Sequence, residues 1–379
     1  MKEIKPYDIA ITGGGLAGLS LAILSADAGY NVVLFEKENY PFHKVCGEYI
    51  SFESWNFLEQ LGLPLLELNL PSIKQLNISD IKGNIYNFNL PLGGFGISRY
   101  TLDNTLYKIA LQKNVTVLTQ SKVTDIKFIE NKFIVSTSSG NFNAIIAAGS
   151  FGKRSNLDIK WNRSFIQKNP NKLNNFIGIK YHVQYPMENN TISLHNFKNG
   201  YCGISKIEEN KCCLCYLTTA DNLKNNNNSV QQMEQNILFK NPHLKKIFTE
   251  AISLYDQPLA ISQISFSKKS QVENHVLMIG DAAGMITPLC GNGMSMAMHG
   301  SKISFENIDD FLQGNITREQ MEENYTNQWQ QAFERRLQIG RNVQRFFGGN
   351  ISTTVFFKIM NSFPWLAKKV IASTHGDFF

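Results

Sequence analysis

Gly13-Gly14-Gly15-Leu16-Ala17-Gly18 constrains this chain more than any other stretch of it. It lies between residues 8–12, which read as a strand, and 16–28, which read as a helix. Gly29 stops that helix, and residues 31–36 read as a second strand, so the segment predicts a βαβ unit of a parallel sheet. Glycines at such a turn let backbone approach a pyrophosphate, and the helix start offers N–H groups and a positive dipole end. Gly13, Gly15, Leu16, Ala17 and Gly18 are therefore candidate contacts. Glu36 falls 18 residues after Gly18, where a carboxylate accepts bonds from ribose hydroxyls and repels a 2′-phosphate; Lys37 adjoins it. Together these predict an adenine dinucleotide, FAD or NAD.

The same stretch has a rival reading. Residues 9–26 are uncharged and follow Lys2 and Lys5, as in a signal peptide or a short anchor. Glu3 and Asp8 interrupt the basic start, and the clustered glycines would make a poor membrane helix. The βαβ reading explains every residue, and a cytoplasmic location is expected. Cys46, Cys202, Cys212, Cys213, Cys215 and Cys290 form no paired CxxC spacing, so neither a metal site nor a disulfide scaffold is expected. The net charge of +6 includes no basic run, so no nucleic-acid partner is expected. With 43% hydrophobic and 18% charged residues, disorder is excluded as the main state.

A second apolar run, Val276-Leu277-Met278-Ile279, enters Gly280-Asp281-Ala282-Ala283-Gly284 and then Pro288, Gly291, Asn292 and Gly293. Here the sequence resembles the FAD-dependent oxidoreductase family that holds para-hydroxybenzoate-type hydroxylases, geranylgeranyl reductases and flavin-dependent halogenases. The geranylgeranyl reductase-like branch is the nearest in resemblance. The resemblance implies that Gly280 and Asp281 hold the ribityl chain. It also implies that Pro288, Gly291, Asn292, Gly293 and Met294 open a helix aimed at the flavin. Tyr40-Pro41-Phe42-His43-Lys44-Val45-Cys46-Gly47-Glu48-Tyr49 is similar to the Pro-Arg-x-Lys-x-Cys-Gly loop of the reductases, with Phe42 in the place of the arginine and His43 beside it. That similarity places Lys44, Val45 and Cys46 along the flavin. Cys46 and Glu48 become candidate catalytic groups, since a thiol or a desolvated carboxyl can pass a proton. By the same resemblance Arg99 contacts FAD, Val123 reads the adenine, and Ala147-Ala148-Gly149 returns the chain to the nucleotide. Ala148 stands where hydroxylases often carry Asp, which counts against tight nicotinamide binding there; NADPH or NADH is implied as the external reductant.

Two further segments bear on the reaction. Halogenases of the family carry Trp-x-Trp-x-Ile-Pro, and none of Trp55, Trp161, Trp329 or Trp365 sits in such a motif, which disfavours halogenation. Prenyl reductases tend to carry Tyr-x-Trp-x-Phe-Pro, and residues 200–205 keep only Tyr201.

The expected fold is α/β (α+β overall). A Rossmann-like FAD-binding domain with a three-layer parallel sheet takes residues 1–75, 99–155 and 270–305. An antiparallel-sheet substrate domain takes 76–98 and 156–269, and a helical C-terminal region takes 306–379. The tail is rich in Phe346, Phe347, Phe356, Phe357, Phe363 and Trp365, with Lys358, Lys368 and Lys369 between them. It reads as core helices, as a lid over a lipid-like substrate, or as a peripheral membrane contact. The activity expected is FAD-dependent oxidation of a hydrophobic substrate, leaning to monooxygenation of an aromatic or polyketide-type lipid. Reduction of prenyl double bonds is the alternative, and a non-catalytic flavin-binding protein is the reading from another class.

Overall fold

Continuous apolar runs in this sequence become strands covered on both faces, the burial that a parallel sheet sandwiched between layers demands. In the computed structural model, which describes residues 6–166, 175–349 and 351–379, Val32–Phe35 and Val276–Met278 are buried throughout. The parallel strands of the first sheet run in the order Val276–Met278, Gly140–Gly149, Tyr7–Thr12, Val32–Phe35, Thr116–Leu118. Val123–Ile129 and Lys132–Thr137 join Gly140–Gly149 as an antiparallel meander, whose Phe142 touches Phe35 and Tyr7. Helices Leu16–Asp27, Arg99–Gln112 and Gly293–Leu312 pack together as a helical layer of this domain. Leu16–Asp27 starts after Gly15, which has no side chain to cap its first turn.

Among the described residues the second sheet has nine strands and is largely antiparallel. Its order is Ile252–Ser253, Phe176–Gln184, Cys212–Thr219, Gly200–Lys206, Thr191–Phe197, Ser72–Ser79, Ile85–Gly96, Tyr49–Ser51, with Leu259–Ile264 also paired to Phe176–Gln184. Several segments sit differently from the expected division: Ser72–Ser79 belongs whole to the second sheet, and Gly293–Leu312 runs past 305 as one helix of the first domain. Tyr49–Ser51 pairs with Gly96, Phe95 and Gly94 of the second sheet, although it is surrounded in sequence by residues of the first domain. Asn156–Lys160 is a short helix whose Leu157 is buried in the core of the first sheet.

The tail is helical over Arg318–Gln344, Ile351–Ser362 and Pro364–Ala372. A capping box of Thr317 and Gln320 starts the long helix, and Met321, Tyr325, Trp329, Phe333 and Leu337 form its buried stripe. The C-terminal Phe379 stacks on His299 at 4.4 Å. Cys46, Cys202, Cys212, Cys213 and Cys215 are free thiols. Among the described residues no helix is long and apolar enough to cross a membrane.

Candidate active site

The two sheets enclose a cavity of about 1280 Å³, above the roughly 300–1,000 Å³ of a pocket for one small molecule. One end is the glycine turn. Gly13 has φ +105°, and a Cβ there would lie 2.6 Å from the Ser150 carbonyl oxygen. The Gly14 N–H donates to Glu36 Oε2 at 2.8 Å, and the Glu38 N–H donates to Oε1 at 3.0 Å. Glu36 thus braces the turn, and a carboxylate has further lone pairs for a ribose.

Two cations stand over the start of the Leu16 helix. A Cβ on Gly15 would be 3.6 Å from both Arg99 Nη2 and Lys44 Nζ. Asp103 aims both: Arg99 forks onto it at 2.7 and 2.8 Å, and Lys44 reaches it at 3.0 Å. Burial alone would raise the Asp103 carboxyl, but Arg99 and then Lys44 outweigh it and hold the group below its usual range. Two cations against one carboxylate, beside a helix N-terminus, leave a positive cradle fit for a diphosphate.

The Gly280-Asp281 turn forms the next stretch of wall, with Gly280 at φ +61°. Lys269 donates to the Asp281 carbonyl at 2.7 Å, and Arg163 donates to the Ala282 carbonyl at 3.1 Å while paired to the buried Asp158 at 2.8 Å. Burial pushes Lys269 down to about 8.

The loop from Tyr40 to Tyr49 crosses between the sheets, and Glu48 at its end has φ +56° and is fully buried. Its carboxylate takes the Lys180 ammonium on Oε1, the Arg99 N–H on Oε1 at 2.8 Å, and His182 Nε2 on Oε2 at 2.6 Å. The Tyr255 hydroxyl touches His182 Nδ1 and His43 Nδ1, each at 2.8 Å. Burial works against the ionised form of Glu48, but His182 and Lys180 outweigh it and hold the carboxyl low. Among the described residues Glu48, His182 and Cys213 lie close enough to share an ion, yet each is committed to protein: Cys213 bonds the Cys46 carbonyl, and Lys180 occupies Glu48.

Of the residues singled out from sequence, Gly13, Gly15, Leu16, Ala17, Glu36, Lys37, Lys44, Val45, Cys46, Glu48, Arg99 and Val123 line the cavity. So do Gly280, Asp281, Pro288, Gly291, Gly293 and Met294. Gly18, Ala148, Gly149 and Asn292 lie behind that wall. Gly18 meets the Gly13 carbonyl, Ala148 pairs with Ile11 and Leu277 inside the sheet, Gly149 packs on Phe151 and Met278, and the Asn292 amide bonds the Thr374 carbonyl. Sequence reasoning missed Asp103 as the common anchor, Lys269 and Arg163 as clamps on the Asp281 turn, and Lys180, His182 and Tyr255 around Glu48. One signal was available. Lys180 and His182 alternate through the otherwise apolar strand Phe176–Gln184, which puts both on one face.

The profile of the pyridine nucleotide-disulphide oxidoreductase family matches residues 7–176, and that of squalene epoxidase matches 159–334. The chain is an FAD-dependent oxidoreductase. Among relatives of this flavoenzyme, a protein of Methanosarcina barkeri is 23% identical, covering 96% of this chain and 89% of its own. A 1H-pyrrole-2-carbonyl-[peptidyl-carrier protein] brominase of Pseudoalteromonas luteoviolacea is also 23% identical, over 83% of this chain and 80% of its own. Solved structures share the fold. A flavin-dependent brominase has TM-score 0.80 at 18% identity, with 98% and 93% of the two chains covered. A geranylgeranyl bacteriochlorophyll reductase-like protein of Thermoplasma acidophilum has TM-score 0.77 at 16% identity, with 98% and 92% covered. The residues present suit the cofactor: the cradle at Gly15, Arg99 and Lys44 would take the diphosphate, Glu36 the adenosine ribose, and Asp281 the ribityl chain. Bound there, FAD supplies redox chemistry, and the protein orients it and walls it from water.

Proposed function

We propose that this flavoenzyme oxidises a neutral, hydrophobic, lipid-like molecule as a monooxygenase of an aromatic or polyketide-type substrate, with NADPH or NADH as external reductant. The observation that carries the substrate class is the distribution of charge around the cavity. Among the described residues, every Asp, Glu, Lys and Arg on its wall comes from the first domain, the 42–49 loop or the start of the Arg99 helix. Among the described residues the second sheet and the tail contribute Leu76, Ile78, Leu194, Leu217, Phe356 and Met360 with others, and no such charge. An ionic substrate would lose hydration there with no Asp, Glu, Lys or Arg among the described residues to pair with it. Tyr201, the residue kept from the prenyl reductase segment, also lines this end, which supports reduction of prenyl double bonds as the second reading. The likeness to brominases reopens halogenation, which the missing tryptophan motif counted against.

Oxygen separates these readings. Turnover of an apolar aromatic substrate with NADPH is expected to stop without oxygen and to place one atom of labelled oxygen in the product. Anaerobic turnover with a chemical reductant would sink the monooxygenase and favour the reductase. A halogenated product that appears only with added halide would replace both. Flavin reduction unaffected by any apolar substrate would leave the non-catalytic reading.

The tail supports a way in for such a substrate. Phe357 and Met360 of Ile351–Ser362 face the cavity, while Val355 and Ile359 of the same helix are 48% and 45% exposed. Phe363 and Trp365 follow at 51% and 66% exposure, and residues 345–376 carry Arg345, Lys358, Lys368 and Lys369 with no acidic residue. A peripheral contact with an anionic bilayer fits this pattern. Phe363→Ser with Trp365→Ser is expected to weaken sedimentation with anionic vesicles by at least about tenfold, since each buried aromatic contributes roughly 1.5–3 kcal/mol. Unchanged partitioning would dispose of the contact.

A further inference from the structure

Glu48 stands at the buried end of a row of titratable groups whose outer member, His43, is half-buried and lines the same cavity. The row is Glu48, His182, Tyr255, His43, with successive contacts of 2.6, 2.8 and 2.8 Å. Glu48 and His182 are buried, while His43 is half-buried and stacks at 4.5 Å on Tyr100, itself 39% exposed. The members come from three separate parts of the chain: the 41–49 loop, the strand Phe176–Gln184, and the turn after Ile252–Ser253.

The partners fix which way the protons point. Lys180 and the Arg99 N–H occupy Glu48 Oε1 as donors, so the carboxylate is an acceptor only. His182 Nε2 must then donate to Oε2. With His182 carrying one proton, its Nδ1 is an acceptor and takes the Tyr255 O–H. The Tyr255 oxygen in turn takes the Nδ1–H of His43, whose Nε2 is left as an acceptor. Desolvation first, and then Lys180 and His182, push His43 down to about 4, so it rests without charge at neutral pH. Every donor in the row thus aims at Glu48.

We propose that His43, Tyr255 and His182 form a proton path that exchanges protons between solvent and Glu48 on the flavin-facing loop. A proton arriving at His43 Nε2 releases Nδ1–H to the Tyr255 oxygen. Tyr255 passes its own proton to His182 Nδ1, and His182 passes Nε2–H to Glu48 Oε2. One proton enters, one bond to hydrogen forms and one breaks at each stop, and Glu48 ends as a carboxylic acid. The same row run backwards returns a proton to solvent. Because Lys180 favours ionised Glu48, a proton does not rest there but moves on, as a relay stop requires. Other charged or titratable groups around the row include Lys211 near His43, Glu208 near Tyr255, Cys213 near Tyr255, Glu48 and His182, and Cys215 near Glu48; among the described residues none of these is bonded into it. Cys46, two residues before Glu48, lines the same cavity.

The inference rests on the flavin reading, so its test has one arm that needs no flavin. In the protein without cofactor, nitrogen NMR of the histidine rings is expected to show His182 protonated at Nε2 and His43 at Nδ1. The opposite tautomers would overturn the path. In the FAD-loaded protein, anaerobic reduction by dithionite in weak buffer with an indicator dye reports proton uptake separately from flavin bleaching. Wild type is expected to take up its proton with the bleaching, and Tyr255→Phe to lag by roughly 10²-fold, the order that a positioned proton-transfer group contributes. His43→Ala is expected to lag likewise and to recover on adding imidazole, a rescue that a merely structural role would not produce. Prompt uptake by Tyr255→Phe would overturn the path. Failure to load FAD would instead count against the flavin reading and leave the ring-nitrogen result standing.

Discussion

Gly18→Ala is expected to cost about 3 kcal/mol or more, the upper end of overpacking penalties, and with it the bound flavin. A methyl at that position would lie 2.1 Å from the Gly13 carbonyl oxygen and 2.5 Å from Ser150 Oγ. The first contact is with backbone of the very turn that approaches the diphosphate, so relief moves the turn. Ser150 cannot swing clear without loss either, because its hydroxyl donates to the Gly13 carbonyl at 2.7 Å. Gly15→Ala is the informative contrast. Its methyl would meet only Arg99 Nη2 and Lys44 Nζ, both at the ordinary distance of 3.6 Å, and the Gly15 backbone at φ −86° accepts any residue. Folding survives, but the methyl stands between the helix start and the two cations. FAD affinity is expected to fall roughly 10–100-fold, about 1.4–2.8 kcal/mol. Thermal unfolding of the cofactor-free proteins and flavin fluorescence titrations separate the two effects. Wild-type FAD affinity in Gly15→Ala would remove the turn as the diphosphate site, and a wild-type Tm in Gly18→Ala would remove the packing argument.

What the sequence discloses here is what is local. Strand, glycine turn, helix and Glu36 are contiguous, and their chemistry depends on spacing along the chain, so they can be read before any fold is known. The Asp281 turn is legible for the same reason: a charged residue and several glycines interrupt an apolar run, which no membrane or core helix tolerates. Lys180 and Glu48 are 132 residues apart, and nothing near either one names the other. The pairing exists only because the 41–49 loop crosses onto the second sheet. Tyr49–Ser51 is three residues long, too short to show a period of two, so its place in that sheet escapes pattern reading. Arg163 and Lys269 reach backbone carbonyls, and a carbonyl leaves no mark in the sequence to point back to its donor. The apolar lobe is intermediate. Its greasy residues are visible in the tail and the strands, but that they face one cavity, with charge confined to the other end, depends on how the sheets stack.

Glu48→Gln keeps the size of the side chain and removes its charge, which leaves the Lys180 ammonium buried without a counter-ion. Breaking a buried ion pair on one side costs roughly 3–5 kcal/mol, mostly the desolvation of the partner left behind. Lys180 has no exposed surface, and among the described residues its other hydrogen bond is to the neutral Lys44 carbonyl at 3.1 Å, with no second carboxylate bonded to it. Adding Lys180→Met removes the stranded charge, and the double variant is expected to recover most of the loss. That non-additivity is the mark of the pair rather than of either residue. The pH dependence has a fixed sign. Glu48 is held below the ordinary 4.5, so its contribution is full above that value and is lost as pH falls through the lower, folded one. Burial lowers Lys180, but the nearby Cys213 and Glu48 together outweigh it and hold the group above 10.5, so its contribution is full below that value and is lost as pH rises through the higher, folded one. Across the interval between, the ion pair ties the cavity-lining loop to the second sheet, and the double variant should lose this part of the stability loss at both extremes. Urea unfolding of the four proteins from acid to alkaline pH measures it. A Glu48→Gln protein as stable as wild type at neutral pH would mean that Lys180 finds water or another acceptor, and that the loop is held to the second sheet by packing alone.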